Sequence, residues 1–465
     1  MPYILGVDVG TTSLKAVLFD ENANAVKSVT KDYTLKVSGD RVGFPAADYW
    51  RLFSEALEEM RADYPITALA IDTQCETLIL TDEDGTPITD AIVWLDNRAT
   101  AEADELRERF GEQTVYEITG QPEVTATWPA CKLLWLRKHE PELFGRVKKI
   151  FLLEDYLLYR LTGSFVTERT LQSSTIYYDI HRGTWWDEML DTIGIRAEQL
   201  PALRGSGEIV GEYEGITVVT GCIDQIAGAI GAGVVGRDII SEMTGTTMAI
   251  FVPTDTVPAY DGSKIPCHVN WDGRYCLLSW SPTAGMALKW FKNNFCEGME
   301  FDDLNKLAAA VPPGSHGLTF LPYLCGSTMP HYDPDAKGAF FGLTLEHTRG
   351  HCVRAIMESV ACMLRENLEY LGISCTEVRA MGGGAKSDLW CQIMADLCGK
   401  TIVTLRNDET ACLGSAILAG TAVGIFESVE AACAIAVAPN KTYIPSGADY
   451  TACYDRFRKL EAVKV

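Results

Sequence analysis

Near its start the chain reads Ile4-Leu5-Gly6-Val7-Asp8-Val9-Gly10-Thr11-Thr12-Ser13-Leu14-Lys15-Ala16-Val17-Leu18-Phe19-Asp20, and past its middle Ile239-Ile240-Ser241-Glu242-Met243-Thr244-Gly245-Thr246-Thr247-Met248-Ala249-Ile250-Phe251-Val252. Each segment is an apolar strand, a Gly-Thr-Thr turn and a second apolar strand. Gly10 and Gly245 stand 235 positions apart in a chain of 465 residues, half its length. A single Gly-Thr-Thr turn reads as an ordinary hairpin. Its duplication at half-length, with Asp8 two residues ahead of the first copy, points further. Glycine and hydroxyls at a hairpin tip let backbone N–H groups and Thr side chains close around phosphate oxygens. Gly10, Thr11, Thr12 and Ser13 on one tip, and Gly245, Thr246 and Thr247 on the other, are therefore candidate polyphosphate contacts. Asp8 is placed as a magnesium carboxylate would be.

Strand and helix patterns alternate outward from both copies. Residues 3–9, 14–19 and 25–34 predict a three-stranded meander that turns at Asp20-Glu21-Asn22. Trp50, Phe53, Leu57 and Met60 recur at helical spacing within 47–62, which reads as an amphipathic helix. Strands follow at 66–72 and 77–81, then the run Ile92-Val93-Trp94. Three strands, a helix and further strand–helix units is the order of a ribonuclease-H-like ATPase core. The second half repeats it with the hairpin 239–252, a strand near Cys276-Leu277-Leu278 and helices at 283–295 and 348–371. A strand at 378–381, the turn Gly382-Gly383-Gly384 and a helix at 388–398 complete it, with Ser387 as the helix cap. The expected fold is α/β: two ribonuclease-H-like lobes of the actin and hexokinase type around a central cleft. The boundary falls near Gly231-Ala232-Gly233-Val234-Val235-Gly236, giving an N-terminal lobe of residues 1–236 and a C-terminal lobe of 237–465.

Composition narrows the function. Hydrophobic content of 47% with 22% charged residues is that of an ordinary globular protein. The net charge of −23 argues against nucleic acid or an anionic membrane as partner, since both require clustered Lys and Arg. Any bound nucleotide must be held by local dipoles, Mg²⁺ and a few cations. Fifteen Cys residues without CxxC spacing and no secretory leader read as free thiols in a reducing cytoplasm. The seven His show no HxH or HExxH arrangement, so no zinc site is expected.

The strongest catalytic candidate lies in Val218-Val219-Thr220-Gly221-Cys222-Ile223-Asp224-Gln225. A strand ends at Gly221 and Asp224 opens the next helix, so its carboxylate points into the cleft. There it can accept a proton from a substrate hydroxyl attacking a γ-phosphate, a reaction that needs mainly alignment and charge neutralisation. Asp224 is also the second candidate metal carboxylate beside Asp8, and Gln225 a candidate substrate contact. The same Asp equally suits a helix cap when taken alone. In Asp72-Thr73-Gln74-Cys75-Glu76-Thr77, Gln74 and Glu76 share one side of an extended segment and suit vicinal hydroxyls. Trp94 offers an apolar face to a sugar. On spacing alone Glu76 equally fits a solvated strand edge, and Trp94 core packing. Gly384 and Ala385, at a helix start, suit close approach of a nucleotide, as does Gly285, while Trp290 is expected in the core.

Taken together these features resemble the FGGY family of carbohydrate kinases over nearly the whole chain. Its first signature is echoed by Pro129-Ala130-Cys131-Lys132-Leu133-Leu134-Trp135-Leu136-Arg137-Lys138-His139. The second is echoed by Gly338-Ala339-Phe340-Phe341-Gly342-Leu343, followed by His351 and Ala355-Ile356-Met357-Glu358, and Trp94-Leu95-Asp96-Asn97-Arg98 matches the W-x-D-x-R element. The resemblance implies two actin-like lobes, ATP and Mg²⁺ in the cleft, and Asp224 as general base. It also implies nucleotide contacts at Thr11, Thr12, Ser13, Lys15, Thr246, Gly285, Lys289, Gly384 and Asp388. Xylulokinases of the family usually carry Gly-Gln-Met-His-Gly, and glycerol kinases Gln-Arg-Glu-Thr, where this chain has Thr73-Gln74-Cys75-Glu76-Thr77. Cys75 cannot supply the Arg donor fork. The expectation is an ATP-dependent kinase for a small neutral sugar, a ketopentose such as xylulose or ribulose. The rivals are a kinase for a polyol such as glycerol or erythritol, for a sugar acid such as gluconate, or for a related carbonyl compound, and a nucleotide-gated sugar-binding regulator. The reading places the protein in the cytoplasm and allows a homodimer.

Overall fold

The computed structural model describes residues 2–462. The first hairpin is β1 (Tyr3–Val9) and β2 (Ser13–Phe19), continued antiparallel by β3 (Ala25–Asp32). Strand β4 (Ile66–Thr73) pairs parallel with β1. Beyond it lie β6 (Ile216–Val219), also parallel, and an antiparallel edge, β5 (Ile209–Tyr213). The order is β5-β6-β4-β1-β2-β3.

The second sheet repeats this plan. Its meander is β7 (Ile239–Thr244), β8 (Met248–Thr254) and β10 (Tyr275–Ser281), with β9 (Cys267–Val269) added at the edge. On the other side β11 (Glu377–Met381) and β12 (Thr401–Leu405) are parallel and β13 (Pro439–Tyr443) antiparallel. Two copies of one strand order are the expected pair of ribonuclease-H-like lobes.

Alternation along the strands decides what each face meets. Leu5, Val7 and Val9 join Leu69 and Ile71 under α1 (Ala46–Arg61) and α3 (Leu153–Thr162). Ile4, Gly6 and Asp8 point the other way, toward α4 (Asp224–Gly231) and α8 (Thr410–Ala422). The second core gathers on α6 (Arg349–Tyr370) and α7 (Asp388–Cys398), which Ser387 caps by accepting from Trp390 N–H at 3.2 Å. The remaining helices named below are α2 (Pro129–His139) and α5 (Gly285–Phe295). Trp290 departs from expectation: it is 36% exposed on α5, edge-on to Phe295, because it falls on that helix's outer face. Among the described residues no helix is long and apolar enough to cross a membrane.

Helix α8 comes from the second half of the chain yet packs on the first sheet, backbone against backbone. A methyl group on Gly6 would overlap the Cys412 carbonyl, one on Gly231 the Thr410 carbonyl, and one on Gly414 the Ala227 carbonyl. Ser415 on the same helix donates to Asp72 Oδ2 at 2.6 Å. We expect Gly414→Ala to lower stability by about 1–3 kcal/mol, since overpacking outweighs the gain in helix propensity. Calorimetric melting checks this, and an unchanged or higher melting temperature would show that the α4–α8 contact can relax.

Candidate active site

The parallel strands β1, β4 and β6 deliver three carboxylates to one place. Asp8 sits near the end of β1, opposite Lys15 on β2 and in register with Asp72 on β4. Asp224 follows β6 at the start of α4. Asp72 is fully buried, and burial with the charge of Asp8 pushes its carboxyl well above the usual range. Its protonated form is therefore favoured. Burial raises Asp8 to about 6, opposed by the neighbouring Asp72 carboxyl. Among the described residues Asp8 Oδ1 and Asp72 Oδ1 are buried without a hydrogen-bond partner. Asp224 is raised to about 7 by burial and then by the charge of Asp8. Its one protein hydrogen bond comes from Gln225 N–H, at 2.8 Å.

The first Gly-Thr-Thr tip closes over these groups. Gly10 N–H donates to Ser13 O at 3.0 Å, the Tyr33 hydroxyl donates to Gly10 O, and Tyr33 N–H donates to Thr12 O at 2.9 Å. Thr12 is exposed, and Thr11 and Ser13 partly so. Thr11 Oγ1 accepts from the Trp94 indole N–H at 3.1 Å. Lys15 forms an ion pair with Glu409, just before α8.

Beyond Asp72 the chain bends rather than running extended, which corrects the expected geometry of Gln74 and Glu76. Glu76 has φ +58°, a left-handed conformation, and strain of this kind gathers at functional sites. Gln74 is buried, donates to the Tyr49 hydroxyl at 3.1 Å and leaves Oε1 unpartnered. Gln225 is exposed and accepts from the Cys75 thiol at 3.7 Å. Burial raises Glu76 to about 8, opposed by the charge of Lys132. Lys132, on α2, is fully buried and donates to Val93 O at 3.0 Å and Trp94 O at 3.3 Å. Burial lowers it to about 8 while Glu76 holds it up.

The second set of residues converges on the other tip. Thr246 O accepts from Ala284 N–H at 3.0 Å and Met286 N–H at 3.2 Å, which ties the tip to the start of α5. Gly245 N–H donates to Thr247 O at 2.9 Å. The close approach that Gly285 permits is made by the protein itself: a methyl group there would overlap Gly245 O. On Gly384 it would meet Thr244 Cβ at 2.7 Å. Ala385 is partly buried beside it, and Lys289 is exposed on α5. The Asp388 carboxylate is already engaged, by Lys441 at 2.7 Å and the Tyr443 hydroxyl at 2.7 Å. No hydrogen bond among the described residues joins this second set to the first.

The sequence profile of the FGGY family of carbohydrate kinases, N-terminal domain, matches residues 3–232, and that of its C-terminal domain matches 244–423. The chain belongs to the FGGY family of carbohydrate kinases. It is a phosphotransferase acting on a sugar, and FGGY kinases use ATP as phosphate donor. The xylulose kinase of Bacillus subtilis (strain 168) is 31% identical over 461 residues, 92% of this chain and 90% of that protein. The gluconokinase of the same organism is 28% identical over 460 residues, 92% of this chain and 89% of that protein. The ligand-bound crystal structure of xylulose kinase from Lactobacillus acidophilus superposes with a TM-score of 0.91 at 27% identity, covering 99% and 98% of the two chains.

Sequence reasoning did not single out Asp72 or Lys132, which the structure places beside Asp8 and beneath Trp94. Lys132 carried a signal, a lone cation on an otherwise apolar stretch of the first signature. Asp72 carried none, because its burial depends on strand order. A further buried acid, Glu242, lies beneath the second tip, where the Thr244 hydroxyl donates to it. Burial raises it to about 8, opposed by that hydrogen bond. Between its ordinary 4.5 and about 8 the folded chain holds a proton that the unfolded chain has lost. Stability therefore falls as pH rises, by about 1.4 kcal/mol per pH unit for this group. We expect Glu242→Gln to flatten the melting temperature between pH 5 and 8 relative to wild type. Parallel curves would refute the assignment.

Proposed function

We propose that the protein transfers the γ-phosphoryl group of ATP to a hydroxyl of a small neutral sugar, a ketopentose such as xylulose or ribulose. The observation that carries the choice of a neutral acceptor is that the cations beside the first set of residues are committed. Lys15 is paired with Glu409, Lys132 is turned to two carbonyls, and Arg98 grips Asp96 through two nitrogens at 2.8 and 2.7 Å. A sugar acid would bring its carboxylate to Asp8, Glu76 and Asp224 with none of these cations free to meet it. Polar uncharged atoms remain for hydroxyls, Gln74 Oε1 among them. Both the xylulose kinase and the gluconokinase relatives share the fold, so this distinction rests on the side chains.

In this reading Asp224 accepts the proton of the attacking hydroxyl. Its acidity near neutrality suits a general base. The orphaned Asp8 Oδ1 and Asp224 suit a magnesium ion that keeps most of its waters, although no group of three metal-ligating side chains is found among the described residues. When bound, the ion would neutralise phosphate charge. The first tip, with Gly10, Thr11, Thr12 and Ser13, and the second, with Gly245, Thr246 and Thr247, take the polyphosphate, with Gly285, Lys289, Gly384, Ala385 and Asp388 on the nucleoside side. The mechanical units are 1–236 and 237–465, joined by α8. Grip by both tips requires closure, which also excludes water from the phosphoryl group.

Asp224→Asn keeps shape and loses the base. Turnover is expected to fall about 10²–10⁴-fold with ATP binding nearly intact. Wild-type turnover at saturating sugar would remove Asp224 from this role. The substrate reading is tested by coupled ADP release across pentuloses, hexuloses, polyols and aldonates. The highest kcat/KM is expected on a pentulose, and a maximum on an aldonate would overturn the choice of a neutral sugar.

A further inference from the structure

Among the described residues the one hydrogen bond to the Asp224 carboxylate is local, from Gln225 N–H. Its position in the cleft is therefore set by the backbone turn Gly221-Cys222-Ile223 that delivers it. Two side chains, one of them oriented by a third, grip that turn from beneath. Gly221 N–H donates to Glu154 Oε1 at 2.8 Å, and Ile223 N–H donates to Thr170 Oγ1 at 3.0 Å. The Thr170 hydroxyl in turn donates to Glu168 Oε1 at 2.7 Å, which fixes its rotor and aims a lone pair at Ile223.

Glu168 is itself seated. It caps the short helix Arg169–Gln172, accepting from Thr170 N–H at 2.6 Å and from Leu171 N–H, and it accepts from the Ser206 hydroxyl at 3.2 Å. Glu154 and Glu168 are fully buried and Thr170 nearly so. On its other side the turn presses on β4: a methyl group at Gly221 would overlap the Ile71 carbonyl, and Ile223 bridges Thr73. The turn is held between β4 on one side and Glu154 and Thr170 on the other. Buried acids are a poor way to fill a core, since apolar side chains of similar volume are often as stable or more so. What they supply here is direction: Glu154 fixes Gly221 N–H itself, and Glu168 orients the Thr170 hydroxyl that accepts from Ile223 N–H.

We propose that Thr170, oriented by Glu168, and Glu154 are positioning residues that hold the Gly221–Asp224 turn and so fix the Asp224 carboxylate against the reacting hydroxyl. The proposal rests on Asp224 being the general base. Thr170→Val keeps the side-chain shape, leaves Ile223 N–H unpaired and deprives Glu168 of a donor. A displacement of about 1 Å in a reacting group costs on the order of 10²-fold, and a kcat loss of that order is expected. KM for ATP should be unchanged, since the second tip is untouched. Thr170→Ser restores the hydroxyl and should recover most of the loss. Glu154→Gln, which keeps an acceptor for Gly221 N–H, should stay close to wild type, whereas Glu154→Leu should repeat the kcat loss.

Each variant is assayed below its own melting temperature. If Thr170→Val does not fold, Thr170→Ala against Thr170→Ser gives the same contrast. Wild-type kcat in Thr170→Val overturns the proposal. So does a loss that Ser fails to restore, or one that raises KM for ATP in proportion, since either marks general loosening. Asp224→Asn run alongside separates the two failures. An inactive Asp224→Asn beside a fully active Thr170→Val sinks the positioning role alone, while an active Asp224→Asn sinks both.

Discussion

Three carboxyl groups meet where parallel strands β1, β4 and β6 end, and their mutual repulsion is the constraint that organises this molecule. Asp72 is fully buried and Asp8 and Asp224 are partly so, and like charges this close cannot all persist. The conflict falls on Asp72, the most deeply buried of the three, whose carboxyl is pushed well above the usual range and whose Oδ2 accepts from the Ser415 hydroxyl. Asp8 and Asp224 are left facing the cleft. Concentrated negative charge is otherwise unfavourable in a chain of net charge −23.

The same place joins the halves of the chain. Helix α8 follows β12 in sequence but lies on β1 and α4, so the second lobe reaches into the first. Small residues at its contacts let backbones touch, which leaves little room to slide. Ser415 and Glu409, on and just before this helix, reach Asp72 and Lys15. The edge strand β9 adds a second junction, with Cys267 N–H donating to Gly120 O at 2.9 Å and Val269 N–H to Ser173 Oγ at 3.1 Å. Among the described residues no hydrogen bond joins the two tips, whereas α8 ties the carboxyl cluster to the second half of the chain.

The fold was legible in the sequence because the signals were local and duplicated. Hairpin, meander and helix periods all repeat at half-length, and the predicted strand and helix limits agree with those observed to within two residues for β1, α1, β4 and α6. What stayed hidden required knowing which strands lie side by side. Asp72 gains its meaning only from being next to Asp8, Lys132 only from reaching the carbonyls of Val93 and Trp94, and Glu154 only from reaching Gly221, 67 residues away. Backbone conformation was equally invisible at Glu76, where a residue with a Cβ occupies the left-handed region. Gly285 shows the opposite case. The sequence rightly marked a close approach, but the approaching group is the Gly245 carbonyl.

The route from Lys132 to the first Gly-Thr-Thr tip is short. Lys132 donates to the carbonyls of Val93 and Trp94, while the Trp94 indole donates to Thr11 on the first tip. One buried cation thus fixes the backbone of the aromatic residue, and that residue fixes a hydroxyl of the tip. Exchanging Lys132 for an apolar residue would leave the Val93 and Trp94 carbonyls without this donor and loosen Trp94. A longer, forked cation is not a conservative alternative, since a guanidinium presents five donors where two carbonyls await. Lys132, Trp94 and the first Gly-Thr-Thr tip thus form a single hydrogen-bonded unit, in which a change at the buried cation is felt at the tip.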